Sequence, residues 1–188
     1  MLEIELKYQI NSDQINYYHD KILELGFMVK KPRVYEKNVL YDNPKDLMQI
    51  TNGRIRLRQS GENVEFCYKK PIKDDSGIKK EIEHQVEVSN FEITQKILEM
   101  MEFQPNYAYE RFRTKYFNGK VEIVLDEFPF ANFMEIEGEE VEILKIANLL
   151  ELDFANNLVD SCDTLFANWR KTQNLPPTNM MTFETFDK

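Results

Sequence analysis

The chain is poor in the residues from which many enzymes build nucleophiles, proton relays and soft-metal sites. It has two cysteines and two histidines in 188 residues, and none of Cys67, Cys162, His19 or His84 falls at a metal-ligand spacing. Both cysteines read as small core residues, Cys67 on a strand and Cys162 on a helix. There is no Walker A loop, no Rossmann glycine fingerprint and no G-x-S-x-G elbow. No apolar run approaches the roughly 20 residues that span a bilayer, and the first residues lack the basic-then-apolar pattern of a secretory signal. A cytoplasmic protein without membrane contact is expected. Positive charge is also scarce: 24 Lys and Arg against 33 Asp and Glu leave a net charge of -9. Without a broad positive field, no nucleic-acid partner is expected, and any anion site must be local.

What the chain does have is charge at alternate positions. MLEIELKYQI sets Glu3, Glu5 and Lys7 against Ile4, Leu6 and Tyr8, the two-residue period of a strand with two unlike faces. Ser12 offers an N-cap to a helix carrying Ile15, Tyr18, Ile22 and Leu25 and closed by Gly26. Residues 34–41 read as a second strand, followed by a loop with Asn43, Pro44, Asn52 and Gly53. GRIRLRQ places Arg54, Arg56 and Arg58 on one face, and a turn at Ser60 and Gly61 leads into VEFCYKK, with Glu65, Cys67 and Lys69 in phase. Lys70 falls out of that phase. IKKEIEHQVEV alternates Lys79, Glu81, Glu83, Gln85 and Glu87, and residues 91–101 carry a helical pattern.

The second half continues in the same style. YERFRTKYF puts Arg111, Arg113 and Lys115 in phase, Asn118 and Gly119 give a two-residue hairpin signal, and VEIVLDEF carries Glu122 and Asp126. FMEIEGEE follows with Glu135 and Glu137, then two helical stretches, the longer with Phe154, Leu158, Leu165, Phe166 and Trp169 near one stripe. From Leu175 the chain reads as a loosely packed arm, so residues 1–172 are expected to form one domain and 173–188 a C-terminal arm. Roughly eight strands with interspersed helices predict an antiparallel α+β fold.

A charged face on a single strand ordinarily meets water. Here, however, the signs are sorted by strand: three arginines at 54, 56 and 58, Arg-Arg-Lys at 111, 113 and 115, glutamates at 3 and 5 and again at 135 and 137. Like charges at alternate positions repel, and a solvated surface mixes signs. Sorting makes sense if the charged faces converge on one cavity, inside a closed barrel whose apolar outer face the helices cover. Carboxylates without histidine or cysteine suit hard cations, Mg²⁺ or Mn²⁺, while arginine and lysine in number match phosphoryl oxygens. Together they point to phosphoryl or nucleotidyl transfer.

At this point the ordered set ExExK (Glu3, Glu5, Lys7), EKNVLYD, GRIRLRQ, YKKP, EIE, ERFRTKY, VEIVLD and FMEIEG resembles the CYTH-domain family of triphosphate tunnel metalloenzymes, over residues 1 to about 140. That family includes class IV adenylate cyclases, thiamine triphosphatases and inorganic triphosphatases. The resemblance implies an eight-stranded antiparallel closed β-barrel with covering helices. It also implies divalent metal held by Glu3, Glu5, Asp126, Glu135 and Glu137, and triphosphate gripped by Lys7, Arg56, Arg58, Lys69, Arg111 and Arg113. Glu137, Lys7 and Arg111 would act in catalysis, Glu137 by orienting the nucleophile. Glu65, Glu81, Glu83, Lys115 and Glu122 lie in phase without an assigned role. The implied partner is a small triphosphate (inorganic triphosphate, thiamine triphosphate or ATP) and the implied assembly a monomer or homodimer. A triphosphatase is the expected activity, since no base-reading element is recognisable and only Met1 and Leu2 precede Glu3, where class IV cyclases often carry aromatics. A cyclase making cyclic AMP and pyrophosphate is the alternative, and a non-catalytic polyphosphate-binding module a second.

Overall fold

The computed structural model describes residues 1–186. Its strands are β1 (Leu2–Ile10), β2 (Met28–Asp42), β3 (Arg54–Ser60), β4 (Asn63–Ile72), β5 (Lys79–Val88), β6 (Gln104–Phe117), β7 (Glu122–Glu127), β8 (Asn132–Glu137) and β9 (Met180–Met181). Between and after them lie the helices α1 (Gln14–Glu24), α2 (Leu47–Thr51), α3 (Phe91–Met100), α4 (Glu140–Leu149), α5 (Cys162–Thr172) and α6 (Phe183–Phe186). Strands β1 to β8 pair antiparallel in the order β2-β3-β4-β5-β1-β8-β7-β6, and a β2–β6 pairing closes the ring. The expected α+β fold with an eight-stranded closed barrel is therefore the observed one, and β1 stands across the ring from β2.

The barrel is inside out relative to a common half-buried sheet. Leu6, Tyr8 and Ile10 of β1, Ile123 and Leu125 of β7, and Met134 and Ile136 of β8 point outward and form one apolar cluster with Tyr18 and Ile22 of α1 and Ile143, Ile146 and Ala147 of α4. A second cluster joins Val39, Leu57 and Val64 to Phe91 and Leu98 of α3. Burying these side chains under helices supplies roughly 25 cal/mol per Å² of apolar surface, and it leaves the alternate, charged positions facing inward. A third cluster stands at one end of the barrel, where Phe166 of α5 meets Tyr109, Phe128 and Phe133.

Four local expectations are corrected. Strand β2 starts at Met28 rather than residue 34 and runs past Pro32, whose missing N–H coincides with register shifts against β6 between Val29 and Val34. Helix α1 follows Asp13, and the Ser12 hydroxyl instead accepts from the Asn132 amide at 2.9 Å. The connection after β6 is a four-residue loop, with Asn118 Oδ1 accepting from the backbone of Lys120 and Val121 at 3.0 and 2.9 Å. The single long helix over 154–169 is broken, because the intervening backbone bonds to β1: Leu158 N–H donates to Lys7 O, and Lys7 N–H to Asn157 Oδ1, each at 2.8 Å.

Within the expected arm, residues 180–186 are docked rather than loose. Strand β9 pairs parallel to β6 at Ala108 and Tyr109, Met181 is fully buried, and Phe186 stacks on Trp169 with ring centroids 5.5 Å apart. The last two residues of the expected 173–188 arm lie outside the described residues. Among the described residues no helix is long and apolar enough to cross a membrane.

Candidate functional site

The alternation of each strand delivers one row of charged side chains to the barrel interior, and register decides which rows meet. Opposite Glu5 stands Glu137, and opposite Lys7 stands Glu135. Glu3 faces Glu81 across β5, and Glu122 faces Glu137 across β7. The result is a cavity of about 280 Å³ lined by ten basic and eight acidic side chains, a locally positive channel in an acidic protein.

Of the residues anticipated from sequence, Glu3, Glu5, Lys7, Arg56, Arg58, Lys69, Arg111, Arg113, Glu135 and Glu137 all line this cavity. Lys69 faces inward and Lys70 is exposed. Glu3, Glu5 and Glu137 each offer an oxygen, and these lie within 4.8 Å of one another. Such a trio of carboxylate oxygens fits a hard divalent cation. The crowding shows in their ionisation: burial, with Glu3, Glu135 and Glu5 nearby, pushes the Glu137 carboxyl up to about 8. Burial also raises Glu3, against the pull of Lys69. Burial opposes the charge on Glu5 too, but Lys79 at 2.9 Å and Lys7 at 3.3 Å outweigh it and hold that carboxyl at about 2. A positive centre among the three would replace those contacts and favour the ionised form of Glu137.

Asp126 and Glu135 sit elsewhere. Asp126 is buried behind the cavity wall and accepts from Arg111 Nη1 at 2.9 Å and Arg113 Nε at 2.6 Å. Glu135 lies between Lys7 at 3.2 Å and Arg113 at 2.8 Å. Neither belongs to the trio, and arginine neighbours engage the oxygens of both. Glu36, which sequence reasoning passed over, holds the same arginines from the other side. It accepts from Arg111 Nε at 2.9 Å and from the Ser60 hydroxyl at 2.6 Å. Burial works against its charge, but Arg111, Arg113 and Arg58 keep it far below the ordinary carboxylate range. Its signal was present as a lone acidic residue in phase with Asn38 and Leu40 on β2.

Three more cavity residues had drawn no assignment. Lys79 pairs with Glu5, Arg54 with Glu81, and Tyr109 stands near Arg111. Of the residues left without a role, Glu81, Glu83, Lys115 and Glu122 line the cavity, whereas Glu65 pairs with Arg58. Cys67 is buried inside the barrel opposite Arg56 rather than in an apolar core, and Cys162 begins α5 at the tunnel end beside Ser161 and Asp163. A second cavity of about 340 Å³ adjoins that end through Leu40, Arg54 and Asp163, and is lined by Met48, Gln49, Asn106 and Tyr107.

The model of the CYTH domain matches residues 1–160. Among curated proteins no sequence matches. Among solved structures, a candidate adenylate cyclase from Vibrio parahaemolyticus is 20% identical with a TM-score of 0.73, over 88% of this chain and 98% of its own. A Pyrococcus horikoshii protein is 26% identical with a TM-score of 0.67, over 89% and 99%. A Hippeastrum protein put forward as an adenylyl cyclase and showing a dominant triphosphatase activity is 15% identical, with a TM-score of 0.59, over 99% and 94%.

Proposed function

From the premise that this chain belongs to the CYTH-domain family, we propose that it is a divalent-metal-dependent triphosphatase acting on inorganic or small organic triphosphate. The observation that carries this reading is the pairing, inside one channel, of the Glu3–Glu5–Glu137 trio with a dense set of arginines and lysines. A solvated charged sheet gives no reason for either. A pure polyanion binder gives no reason for the carboxylate trio.

In this reading Glu3, Glu5 and Glu137 would hold Mg²⁺ or Mn²⁺, which would supply neutralisation of phosphoryl charge and Lewis acidity. Lys7, Arg56, Arg58, Lys69, Arg111 and Arg113 bind the triphosphate oxygens, arginine in bidentate fashion. Asp126 and Glu36 act through Arg111 and Arg113, fixing both guanidinium planes so that little ordering remains when substrate arrives. Glu135 fixes Lys7 and Arg113 in the same way. Glu137, in the ionised form that a bound cation would favour, orients a water for in-line attack on the terminal phosphorus and takes its proton. The bond from that phosphorus to the bridging oxygen breaks, the oxygen leaves on the diphosphate, and the terminal phosphoryl group carries the water oxygen away as orthophosphate.

The second cavity favours one alternative, a cyclase in which the ribose 3′ oxygen attacks the α-phosphorus, because it offers room for an organic group beside the phosphate channel. Chromatographic product analysis separates the two. Purified protein with Mg²⁺ or Mn²⁺ is expected to release orthophosphate from inorganic triphosphate and to form no cyclic AMP from ATP. Cyclic AMP with pyrophosphate would replace the hydrolase by the cyclase.

A further inference from the structure

Helices cover most of the barrel exterior, but they leave β5 bare. Helices α1 and α4 pack on β1, β7 and β8, and α3 packs on β2, β3 and the start of β4. Between them Ile82 and Val86 point outward from β5 and are exposed, and Leu2, opposite Ile82 in register, is 54% exposed. The same outward rows carry the exposed Lys70 of β4 and His84 of β5. No carboxylate occupies an outward position on either of these strands, in a chain whose net charge is -9.

Helix α3 presents the opposite balance. Its Phe91 and Leu98 turn into the core, yet Ile93, Ile97 and Met100 recur at i, i+4 and i+7 on the face turned away, each more than half exposed. A helix that buries one apolar stripe ordinarily shows polar residues opposite it. Beside this second stripe stand the exposed Glu92 and Glu99 against the single Lys96, so the helix margin is acidic where the sheet is basic. Phe66, which faces Val86 across the ladder, and Val88, the next outward residue of β5, both pack into the cluster under α3. The exposed helix and the bare sheet therefore adjoin, and joined apolar surface of this kind marks a contact with a partner.

We infer that this face is a homodimer interface, in which a two-fold axis lays α3 of each chain on the bare β4–β5 surface of the other. A two-fold contact uses one patch twice, so the patch must complement itself. Here it does. Ile93, Ile97 and Met100 of one chain cover Leu2, Ile82 and Val86 of the second, while the acidic margin of α3 meets the carboxylate-free sheet around Lys70. A foreign helix or a foreign sheet would answer only one of the two halves. None of the six apolar residues lines the channel, so dimerisation leaves the charged site as it stands.

Sedimentation equilibrium over a concentration series tests the inference. The wild type is expected at twice the 22.5 kDa chain mass. Ile97→Glu on the helix half and Val86→Lys on the sheet half each bury an unpaired charge twice per dimer, and each should weaken association roughly 100-fold or more. Mixed together, the two variants should dimerise again, because one contact then pairs Glu with Lys and the other is wild type. Far-UV circular dichroism checks that both variants fold. Should either fail to fold, Lys70→Glu decides: it reverses an exposed charge twice per dimer and should weaken association by roughly 10-fold. A wild type that stays monomeric at every concentration overturns the inference, and leaves the patch to a different protein. A dimer indifferent to these substitutions overturns it as well, and so do folded variants that remain monomeric when mixed.

Discussion

Glu137 is the residue whose chemistry depends most on its neighbours. Its carboxyl ordinarily titrates at 4.5, and burial beside Glu3, Glu135 and Glu5 moves it to about 8. A raised carboxyl means that the folded protein holds the proton more tightly than the unfolded chain, so its contribution to stability is complete below pH 4.5 and is lost as pH rises toward 8. The metal-free protein should therefore lose on the order of a few kcal/mol between those limits, and Glu137→Gln should remove much of that slope in thermal melts. Added Mn²⁺ should raise the melting midpoint more at pH 9 than at pH 6 in the wild type, and much less in Glu137→Gln. Glu36 carries the opposite sign. It is held far below the ordinary range, so its contribution is complete above pH 4.5 and persists into acid. Glu36→Ala removes one carboxylate from the buried Arg111 and Arg58, which keep Asp126 and Glu65, and should cost about 1–3 kcal/mol in urea unfolding. Much of this was legible from alternation, since residues in phase with Glu3, Arg56 or Arg113 do face inward. What was not legible is who holds whom. Asp126 reads from sequence as one more carboxylate in phase, and only the β6–β7 register, which sets it opposite Arg113, turns it into an arginine holder. Glu36 meets Arg111 through a pairing 75 residues apart, which no local pattern encodes.

At the scale of elements, helix α5 and the strand that follows it pack against Tyr109, Phe128 and Phe133 of the barrel. Phe166 of α5 is buried against Phe130, with Trp169 and Phe186 stacked beside it, and Ser161, Cys162 and Asp163 at the helix start line the cavity. Phe166→Ala should cost about 3–5 kcal/mol, and amide exchange at Tyr109 and Phe128 should rise before that of β7 and β8. Equal protection throughout would mean that α5 is not a separate closing unit. This helix was only half legible. The stripe of Phe166 and Trp169 is visible in sequence, but the break before Cys162 arises because the segment after Asn156 satisfies its backbone on β1, a partner far away in the chain. The alternation begins β2 at residue 34 in sequence, and the strand instead runs through Pro32 from Met28 with register shifts at its β6 edge.

For the whole molecule, a net charge of -9 surrounds a channel with more basic than acidic groups, so a polyanion is repelled at long range and held at short range. Screening weakens the first effect more than the second, and the association rate of triphosphate is expected to rise between low and physiological ionic strength. Closure of the ring gives this arrangement its strength: it removes the sheet edges and turns eight moderately charged strands into one low-dielectric enclosure. The single most direct measurement is calorimetric titration of the intact protein with inorganic triphosphate, at early times, with Mn²⁺ and after chelation. The account predicts binding that weakens at least 10-fold on chelation, because the Glu3–Glu5–Glu137 trio then repels the ligand that the opposite wall attracts. Equal affinity in both conditions would contradict it.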